Sequence, residues 1–316
     1  MIASTVYCIG ELLIDFVAEN QGSDLSKAKE FTKKAGGAPA NVACAIAKLG
    51  GNSAFIGCVG DDPFGSFLLR ILKNEGVQIS EAQKSKVFTT LAFVSIDEEG
   101  ERDFVFSRGA DRELKYNPAV RKGFNGNIVH FGAATSFLGG NLEDAYSRYY
   151  FDALTKEAFI SFDPNYRADL WKEDEESFIK KSLIFVEKSD LCKFSLEEAL
   201  LISGKDTIED ACSFLHQTGA KIITVTLGGD GTFVSTATIQ KTIPSIEVTP
   251  VDTTGAGDAF IGCLLNEIAH LNHPHDVLKA DDVLLTMIEK ANKAGALTTT
   301  GYGAIESLPS KAQLDA

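Results

Sequence analysis

The sequence predicts an α/β protein in which a parallel sheet is covered by helices on both faces and carries a small second β-sheet. Short apolar runs alternate along the chain with amphipathic segments, and this order favours parallel strands joined by helical crossovers. Residues 88–106 break the alternation, because two apolar runs there flank a polar turn at 97–101 with no helix between them. These two strands should pair antiparallel, and residues 12–18 and 29–35 could extend the same small sheet.

The main strands are predicted from short apolar runs, and the helices from apolar residues at helical spacing. In "PANVACAIAKLGG", for example, Val42, Ile46 and Leu49 fall on one helical face, and Gly50-Gly51 end the helix. Strands are predicted at 6–12, 53–60, 127–133, 158–163, 190–194 and 221–228. Helices are predicted at 39–51, 64–76, 141–156, 174–187, 195–203, 206–218, 257–271 and 281–297.

Length and charge limit the classes of protein to consider. A chain of 316 residues, 44% of them hydrophobic, can bury a large core, and we expect residues 1–316 to form a single domain. A small sheet above such a core suggests a lid over a cleft, formed by segments at about 12–35 and 87–110. The net charge of −14 argues against nucleic acid or an anionic membrane as partner, since both need basic patches. No apolar run approaches the ~20 residues that span a bilayer.

The cysteines indicate a reducing compartment. No two of the six form a C-x-x-C pair, and most lie within apolar runs, which is typical of reduced core cysteines. They occupy positions 8, 44, 58, 192, 212 and 263. Because the N-terminus also carries no basic segment before an apolar run, we expect a cytoplasmic protein without a signal peptide.

The stretch "VDTTGAGDAFIG" places Gly255, Ala256, Gly257 and Asp258 where a helix begins. A helix start exposes unpaired N–H groups and a partial positive charge, and glycines there let a bulky anion approach the backbone. A phosphoryl group on these N–H groups would lie beside Asp258, whose carboxylate could take a proton from an attacking hydroxyl. The alternative is that Asp258 is only a first-turn acid favoured by the helix dipole, and these residues alone do not decide between the two.

A second glycine cluster, "KKAGGAPANVACAIAKLGG", has Gly36 and Gly37 just before a helix that carries Pro39 in its first turn. Glycines here permit a ligand to approach the backbone closely. Asn41 offers both a donor and an acceptor, which suits a sugar hydroxyl. Taken by itself, this cluster is better explained as a plain strand-to-helix turn.

Taken together, "GGAPANVACAIAKLGGNSAFIGCVGDDPFG" and "DTTGAGDAF" closely resemble the two signatures of the PfkB (ribokinase-like) carbohydrate kinase family. The resemblance covers nearly the whole chain. Within the family the chain looks most like the fructokinases, and the segments that carry this resemblance are "GELLIDF", "GERDFVFSRGADREL", "DPNYRADLW" and "KFSLEEA". The resemblance implies a doubly wound αβα core with a small β lid, which agrees with the pattern of strands and helices.

The resemblance also implies roles for residues at matching positions. Asp258 looks like the catalytic base and Gly255, Ala256 and Gly257 like the anion hole, with Arg167 steadying phosphate charge. The positions that resemble sugar contacts are Asp15, Gly36, Gly37, Asn41, Arg108, Asp111, Asp163 and Asn165.

The nucleotide and metal sites are implied in the same way. For ATP, "TVTLGGDG" resembles the family's nucleotide-binding strand and turn, and the positions carried over are Ser195, Thr226, Gly228, Gly231, Gly257 and Asn292. The family's N-x-x-E motif, linked to magnesium, has Ser195 in place of Asn, so Glu198 is the expected Mg²⁺ contact, through water. Some members imply a K⁺ site, which here would use Asp252, Thr254, Thr298, Gly301, Gly303 and Ser307. The alternative for Asp252 is a cap on local backbone N–H groups.

The expected activity is ATP-dependent phosphorylation of a sugar, D-fructose to fructose 6-phosphate, with ATP and Mg²⁺ as cofactors. The alternative within the family is a 2-keto-3-deoxygluconate kinase, for which Arg108 could supply the cation that a carboxylate substrate needs. The alternative of another class is a non-catalytic sugar sensor, which would have no need of Asp258. The partners expected are a small sugar and ATP, and a homodimer through exposed edges of the lid is plausible.

Overall fold

The computed structural model describes residues 3–19, 25–96, 102–132, 134–171 and 173–316. The turn predicted at 97–101 and residues 20–24 of the predicted lid segment lie outside the described residues. Within the described ranges, no helix combines the length and the apolar character needed to cross a membrane.

Strands and helices alternate along most of the chain, as the apolar pattern predicts. The strands are β1 (Thr5–Ile9), β2 (Leu13–Ala18), β3 (Phe31–Gly36), β4 (Asn52–Ile56), β5 (Cys58–Gly60), β6 (Gln83–Ser85), β7 (Leu91–Ile96), β8 (Arg102–Ser107), β9 (Ile128–Gly132), β10 (Phe159–Asp163), β11 (Leu191–Ser195), β12 (Ile222–Thr226), β13 (Thr232–Ser235) and β14 (Gln240–Ile243). The helices are α1 (Ala38–Lys48), α2 (Pro63–Asn74), α3 (Gly140–Thr155), α4 (Ala168–Trp171), α5 (Glu175–Val186), α6 (Leu196–Ser203), α7 (Ile208–Thr218), α8 (Ala256–Ala269), α9 (Asp281–Thr298), α10 (Ala304–Ser307) and α11 (Lys311–Asp315).

The main sheet has eight strands in the order β14-β13-β12-β11-β10-β9-β1-β4. The six strands from β12 to β4 are parallel, and β13 and β14 add an antiparallel edge. From β1 the chain runs first to β4 on one side and later to β9 on the other. Strand order therefore reverses at β1, and in open α/β sheets ligands bind outside the carboxyl ends of strands at such a reversal.

Helices cover the main sheet on both faces and enclose two apolar cores. On β1, Val6 and Cys8 pack into the core that contains α1, α8 and α9, while Ile9 packs into the core of α3, α5, α6 and α7. Full burial of a Leu, Ile or Phe side chain contributes roughly 1.5–3 kcal/mol, and both cores contain many of them. All six cysteines are buried and free, as predicted for reduced core residues.

The small sheet has the order β3-β2-β7-β8 and is separate from the main sheet. β2 pairs antiparallel with β3 and parallel with β7, and β7 pairs antiparallel with β8. The strands predicted at 12–18, 29–35 and 88–106 are therefore confirmed. In this register Asp15 lies opposite Lys34, and Ala92 lies opposite both Asp15 and Phe106.

Several elements differ from the prediction, and the short elements β6, α4, α10 and α11 were not expected from the sequence. The single strand expected at 53–60 is divided at Gly57, a position that only glycine fits, since a Cβ there would lie 2.5 Å from the Gly10 carbonyl oxygen and 2.3 Å from the Phe55 ring. β4 stays in the main sheet, whereas β5 pairs with β6. The hairpin β13–β14 was not predicted, since its strands are short and mostly polar on one side.

Candidate active site

A cavity of about 410 Å³ opens between the small sheet and the carboxyl ends of the main strands. From the small sheet it is lined by Asp15 and Phe106, and from α1 by Asn41. The loop before α8 contributes Thr253, Thr254 and Gly255, and the first turn of the helix adds Gly257 and Asp258. The two glycine clusters that the sequence singles out thus meet across one cleft.

Asp258 lies in the first turn of α8, and its side chain is bonded across the cleft to α1. Asn41 Nδ2 donates a hydrogen bond of 2.8 Å to Asp258 Oδ2. Burial raises the pKa of Asp258 to about 6, against the opposing effects of Asn41, Lys193 and Arg167. An acid in the first turn that interacted only with the helix dipole would have its pKa lowered. The environment is therefore that of a carboxylate that can accept a proton near neutral pH.

The turn before α8 is built around glycine. Gly255 has φ +81°, and a Cβ there would lie 2.8 Å from the Ala304 Cβ, so a larger residue would be strained. Helical hydrogen bonding begins with Ala259 N–H, which donates to the Gly255 carbonyl at 2.8 Å. Ala256 N–H donates to the Thr253 carbonyl at 3.3 Å, whereas the N–H groups of Gly257 and Asp258 precede the first helical bond. The N–H groups of Gly257 and Asp258 are therefore the part of the predicted anion hole that suits a phosphoryl group.

A second cavity, of about 550 Å³, lies on the other side of this turn. It shares Thr253 and Gly257 with the first cavity. Of the predicted nucleotide residues, all but Ser195 line it, together with apolar side chains such as Ile246 and Phe260; Ser195 lines the first cavity instead. A small polar cleft and a larger, more apolar one thus meet at the start of α8, as expected for a sugar on one side and a nucleotide base on the other.

The matches to known proteins agree with this geometry. Residues 3–311 match the model of the pfkB family of carbohydrate kinases. Fructokinase-1 of Zea mays is 38% identical over 316 residues, which cover 98% of this chain and 96% of the relative. The chain belongs to the pfkB family of carbohydrate kinases.

Solved fructokinases share the fold of this pfkB kinase. The crystal structure of the Xylella fastidiosa fructokinase with bound ATP superposes with a TM-score of 0.85 at 29% identity, covering 98% of this chain and 96% of that one. A double mutant of the Vibrio cholerae O395 fructokinase, in a form with fructose, ADP and a potassium ion bound, superposes with a TM-score of 0.81 at 30% identity. That alignment covers 99% of this chain and 98% of the other.

The predicted sugar contacts of this pfkB kinase are not all in the cavity. Asp15, Gly37, Asn41 and Asn165 line it. Gly36 does not line it, but a Cβ there would lie 2.0 Å from Asp15 Oδ2, so the glycine leaves room for that carboxylate. Their roles in binding stay predictions.

Arg108 and Asp111 lie outside the lining of the cavity and bind each other. Arg108 Nε donates to Asp111 Oδ2 at 3.0 Å, and the same guanidinium donates to the carbonyls of Leu138, Thr135 and Gly139 at 2.6, 3.1 and 3.3 Å. Thr90 Oγ1 donates to Asp111 Oδ1. Arg108 therefore connects the end of β8 to the loop that follows β9, and its guanidinium group is bound by four acceptors, the Asp111 carboxylate and three carbonyl groups.

The segment after β10 supplies a cation and a strained residue. Asn165 has φ +48°, which is uncommon for a residue other than glycine, and its side chain lines the cavity. Arg167 also lines the cavity, and its Nη1 donates to the Tyr166 carbonyl at 2.9 Å. Asp163 is fully buried behind them and forms an ion pair with Lys193.

Ser195 and Glu198 line the sugar-side cavity, and together they cap α6. Ser195 Oγ accepts from Glu198 N–H at 3.1 Å, and Glu198 Oε2 accepts from Ser195 N–H at 2.7 Å. Glu198 Oε1 accepts from Tyr166 N–H at 2.7 Å. Each carboxylate oxygen keeps a further lone pair, which fits a water-mediated contact to Mg²⁺. No cluster of three or more His, Cys, Asp or Glu that could hold a metal occurs among the described residues.

The predicted K⁺ residues come together beside the turn before α8. Asp252 Oδ1 accepts from Thr254 N–H at 2.9 Å and Oδ2 from Gly303 N–H at 2.9 Å. A Cβ on Gly301 would lie 2.5 Å from Ser307 Oγ, and Thr298 ends the neighbouring helix α9. Asp252 thus caps local N–H groups, as the alternative interpretation expects. The set is also rich in oxygen, which fits a weakly held monovalent cation.

Two buried charged residues of the cavity were missed from the sequence. Lys193 is the third residue of β11, between buried Cys192 and Phe194. Glu11 follows β1, where burial raises its pKa to about 7, and its Oε1 has no partner among the described residues. The only signal for either was one charged residue inside an apolar run, which is equally compatible with a strand end at the surface.

Proposed function

We propose that this chain transfers the γ-phosphoryl group of ATP to D-fructose and yields fructose 6-phosphate and ADP. The observation that carries the proposal is the meeting of two cavities at the first turn of α8, where Gly257 lines both, Asp258 lines the sugar-side cavity, and the N–H groups of Gly257 and Asp258 precede the first helical hydrogen bond. Its fructokinase relatives support fructose as the acceptor.

In this mechanism Asp258 takes the proton of the sugar hydroxyl as the hydroxyl oxygen attacks the γ-phosphorus. The new P–O bond forms while the bond from the γ-phosphorus to the bridging oxygen breaks, and that oxygen leaves with ADP. Asn41 holds the Asp258 carboxylate in place through its 2.8 Å bond. The N–H groups at the start of α8 stabilise the negative charge of the transferring phosphoryl group, and Arg167 adds a positive charge from across the cavity.

The small sheet is proposed to act as a lid. Asp15 and Phe106 project from it into the sugar-side cavity, so that closure over the sugar would exclude water from the reacting groups. Residues 1–316 would then work as one domain with a movable sheet. Hydrogen exchange with and without fructose tests this: the amides of β2, β7 and β8 should gain protection when sugar binds.

Two cations are part of the proposal. Mg²⁺ would neutralise the ATP phosphates, with Glu198 contacting its water shell. K⁺ would lie among Asp252, Gly303 and Ser307, neutralise the carboxylate and order the turn before α8. Replacing K⁺ by a bulky organic cation should then lower turnover without unfolding the protein.

The alternative substrate 2-keto-3-deoxygluconate has less support. Its carboxylate needs a cation, and Arg108, the residue expected to supply it, is held by Asp111 and three carbonyl groups. A non-catalytic sugar sensor has no use for a buried carboxylate with a pKa of about 6 at the start of a helix.

An ADP-release assay over a panel of acceptors tests the proposal. Purified protein with ATP and Mg²⁺ should release ADP with fructose, and much less with 2-keto-3-deoxygluconate, ribose, glucose or adenosine. Faster ADP release with another acceptor of the panel would identify that acceptor, and not fructose, as the substrate. Sugar binding without any release would favour a sensor.

A further inference from the structure

A buried lysine stands beside the proposed phosphoryl site. Lys193 projects from β11 into the cavity, and its side chain is only 9% exposed. Its Nζ lies 3.1 Å from Asp163 Oδ2 and 3.4 Å from Asp163 Oδ1. A Cβ on Gly257 would lie 3.2 Å from this Nζ, so the ammonium group lies against the backbone of the first turn of α8.

Nearby carboxylates offset the electrostatic cost of this placement. The N-terminus of a helix carries a partial positive charge, so a cation is disfavoured there. Burial lowers the pKa of Lys193, but Asp163, Glu198 and Asp258 together raise it above its usual value, so the side chain is charged. Lys193, Arg167 and the N–H groups of α8 therefore present three sources of positive charge to the same small volume.

We propose that Lys193 is a catalytic residue whose ammonium group donates a hydrogen bond to a non-bridging oxygen of the transferring phosphoryl group. An ammonium group has three N–H donors, and Asp163 takes at most two of them, so one is left for the cavity. The inference rests on the proposed phosphoryl transfer. In that step the sugar oxygen bonds to phosphorus, the bond to ADP breaks and the sugar proton passes to Asp258, while Lys193 keeps its proton throughout.

The role of simple counterion to Asp163 is the competing explanation, and Lys193→Met separates the two. The variant should lower kcat for ADP release by about 10²–10³ at every pH, because a charged donor to the transition state is lost. ADP together with aluminium fluoride, which imitates the transferring group, should bind at least about ten-fold more weakly in the presence of fructose. Binding of ADP alone should stay within about two-fold of wild type.

Lys221→Met is the matched control. Lys221 Nζ lies 2.6 Å from the buried Asp190 Oδ1, at the opposite end of the same parallel strands. The control removes a lysine from a buried aspartate as Lys193→Met does, but far from the cavity. Its kcat and its affinity for ADP with aluminium fluoride should stay within about two-fold of wild type.

A double variant keeps the test decisive if Lys193→Met alone does not fold. Lys193→Met with Asp163→Asn removes both members of the buried pair, so that no unpaired charge remains. It should bind ADP with aluminium fluoride at least about ten-fold more weakly than Asp163→Asn alone.

The outcomes distinguish this inference from the proposed function. Equal affinity of the double variant and Asp163→Asn for ADP with aluminium fluoride would overturn the inference. So would a Lys193→Met enzyme that regains wild-type kcat at alkaline pH, since Lys193 would then act only on the pKa of Asp258. Absence of ADP release by wild type with any sugar would overturn the proposed function itself.

Discussion

Asp258 holds its proton to an unusually high pH, and this sets the pH range of activity. Burial raises its pKa to about 6, and only the ionised form can accept the sugar proton. We therefore expect kcat/KM for fructose to fall about ten-fold for each pH unit below 6 and to level off above 7. Steady-state kinetics from pH 5 to pH 8 measures this. A flat profile over that range would contradict the assignment of Asp258 as the base.

The same raised pKa predicts a gain in stability when the charge is removed. The folded state binds the Asp258 proton more tightly than the unfolded state does, and this stabilises the folded protein. The stabilisation is complete below the pKa that Asp258 has in the unfolded state, and it is lost as pH rises through 6. Above that pH the ionised carboxylate remains buried at a cost. The stability of Asp258→Asn relative to wild type should therefore increase by about 1 kcal/mol between pH 5 and pH 8. Urea unfolding of both proteins at the two pH values measures it, and a constant difference would refute the buried-charge account.

Asp15 should act on the sugar rather than on the chemistry. It projects from β2 into the cavity, opposite the α8 side, where its carboxylate can accept hydrogen bonds from sugar hydroxyls. Asp15→Ala should raise KM for fructose by about 10- to 100-fold with ATP saturating, as expected for loss of hydrogen bonds to a charged acceptor. Asp61→Ala is the control, because its side chain is 70% exposed and pairs with Lys84. An unchanged KM would remove Asp15 from the site.

At the level of single residues, the members of the two glycine motifs could be predicted from the sequence, whereas the roles of isolated charged residues could not. Glycines before a helix, with an acid in its first turn, imply an anion site by backbone geometry alone, and the structure places Asn41 and Asp258 in contact. No comparable signal marked Lys193, since its role depends on its contact with Asp163, which is 30 residues away. The same holds for Arg108, whose charge is visible in the sequence but whose carbonyl partners are not.

Among the elements, β8 is joined to the loop that follows β9 through the guanidinium group of Arg108. Arg108, one residue after β8, binds Asp111 and the carbonyls of the loop from Thr135 to Gly139. That loop also contacts Glu11 on the cavity side, through Thr135 Oγ1 at 3.4 Å from Glu11 Oε2. Arg108 thus links the end of the small sheet to a loop that also contacts the floor of the cavity.

Arg108→Ala should consequently loosen the small sheet. We expect KM for fructose to rise by about ten-fold or more, with a smaller fall in kcat, because binding must then order the sheet. Hydrogen exchange in β7 and β8 should become faster. Arg148→Ala is the control, since the exposed Arg148 contacts Asp144 on its own helix and the Tyr116 ring, neither of which belongs to the small sheet. Wild-type KM and unchanged exchange in Arg108→Ala would show that the contacts are incidental.

Elements with strong periodicity were predicted, and those determined by tertiary contacts were not. The helices that became α8 and α9 were expected at 257–271 and 281–297 and are found at Ala256–Ala269 and Asp281–Thr298. The division of β4 from β5 depends on the approach of Gly10 to Gly57, which no local pattern encodes. The β13–β14 hairpin is short, and its alternation is too brief to stand out from a loop.

Across the whole molecule, the fold brings both cavities to one helix terminus. The reversal of strand order at β1 leaves a crevice at the carboxyl ends of the strands, and α8 begins in that crevice. The sugar-side cavity needs the small sheet for its upper wall, whereas the nucleotide-side cavity is formed by the segments around β12 and α9. Phosphoryl transfer between them requires groups on both sides of one turn, and Gly257, which lines both cavities, adjoins Asp258, which lines the sugar-side cavity.

The turnover of Asp258→Asn tests this claim most directly. Asparagine keeps the size of the side chain and a hydrogen-bond acceptor for Asn41 but cannot take the sugar proton. With saturating ATP and fructose, ADP release should fall by about 10²–10⁴ in kcat, while fructose affinity measured by calorimetry changes little. Near-normal turnover in this variant would show that another group removes the proton, and the assignment of the site would fail.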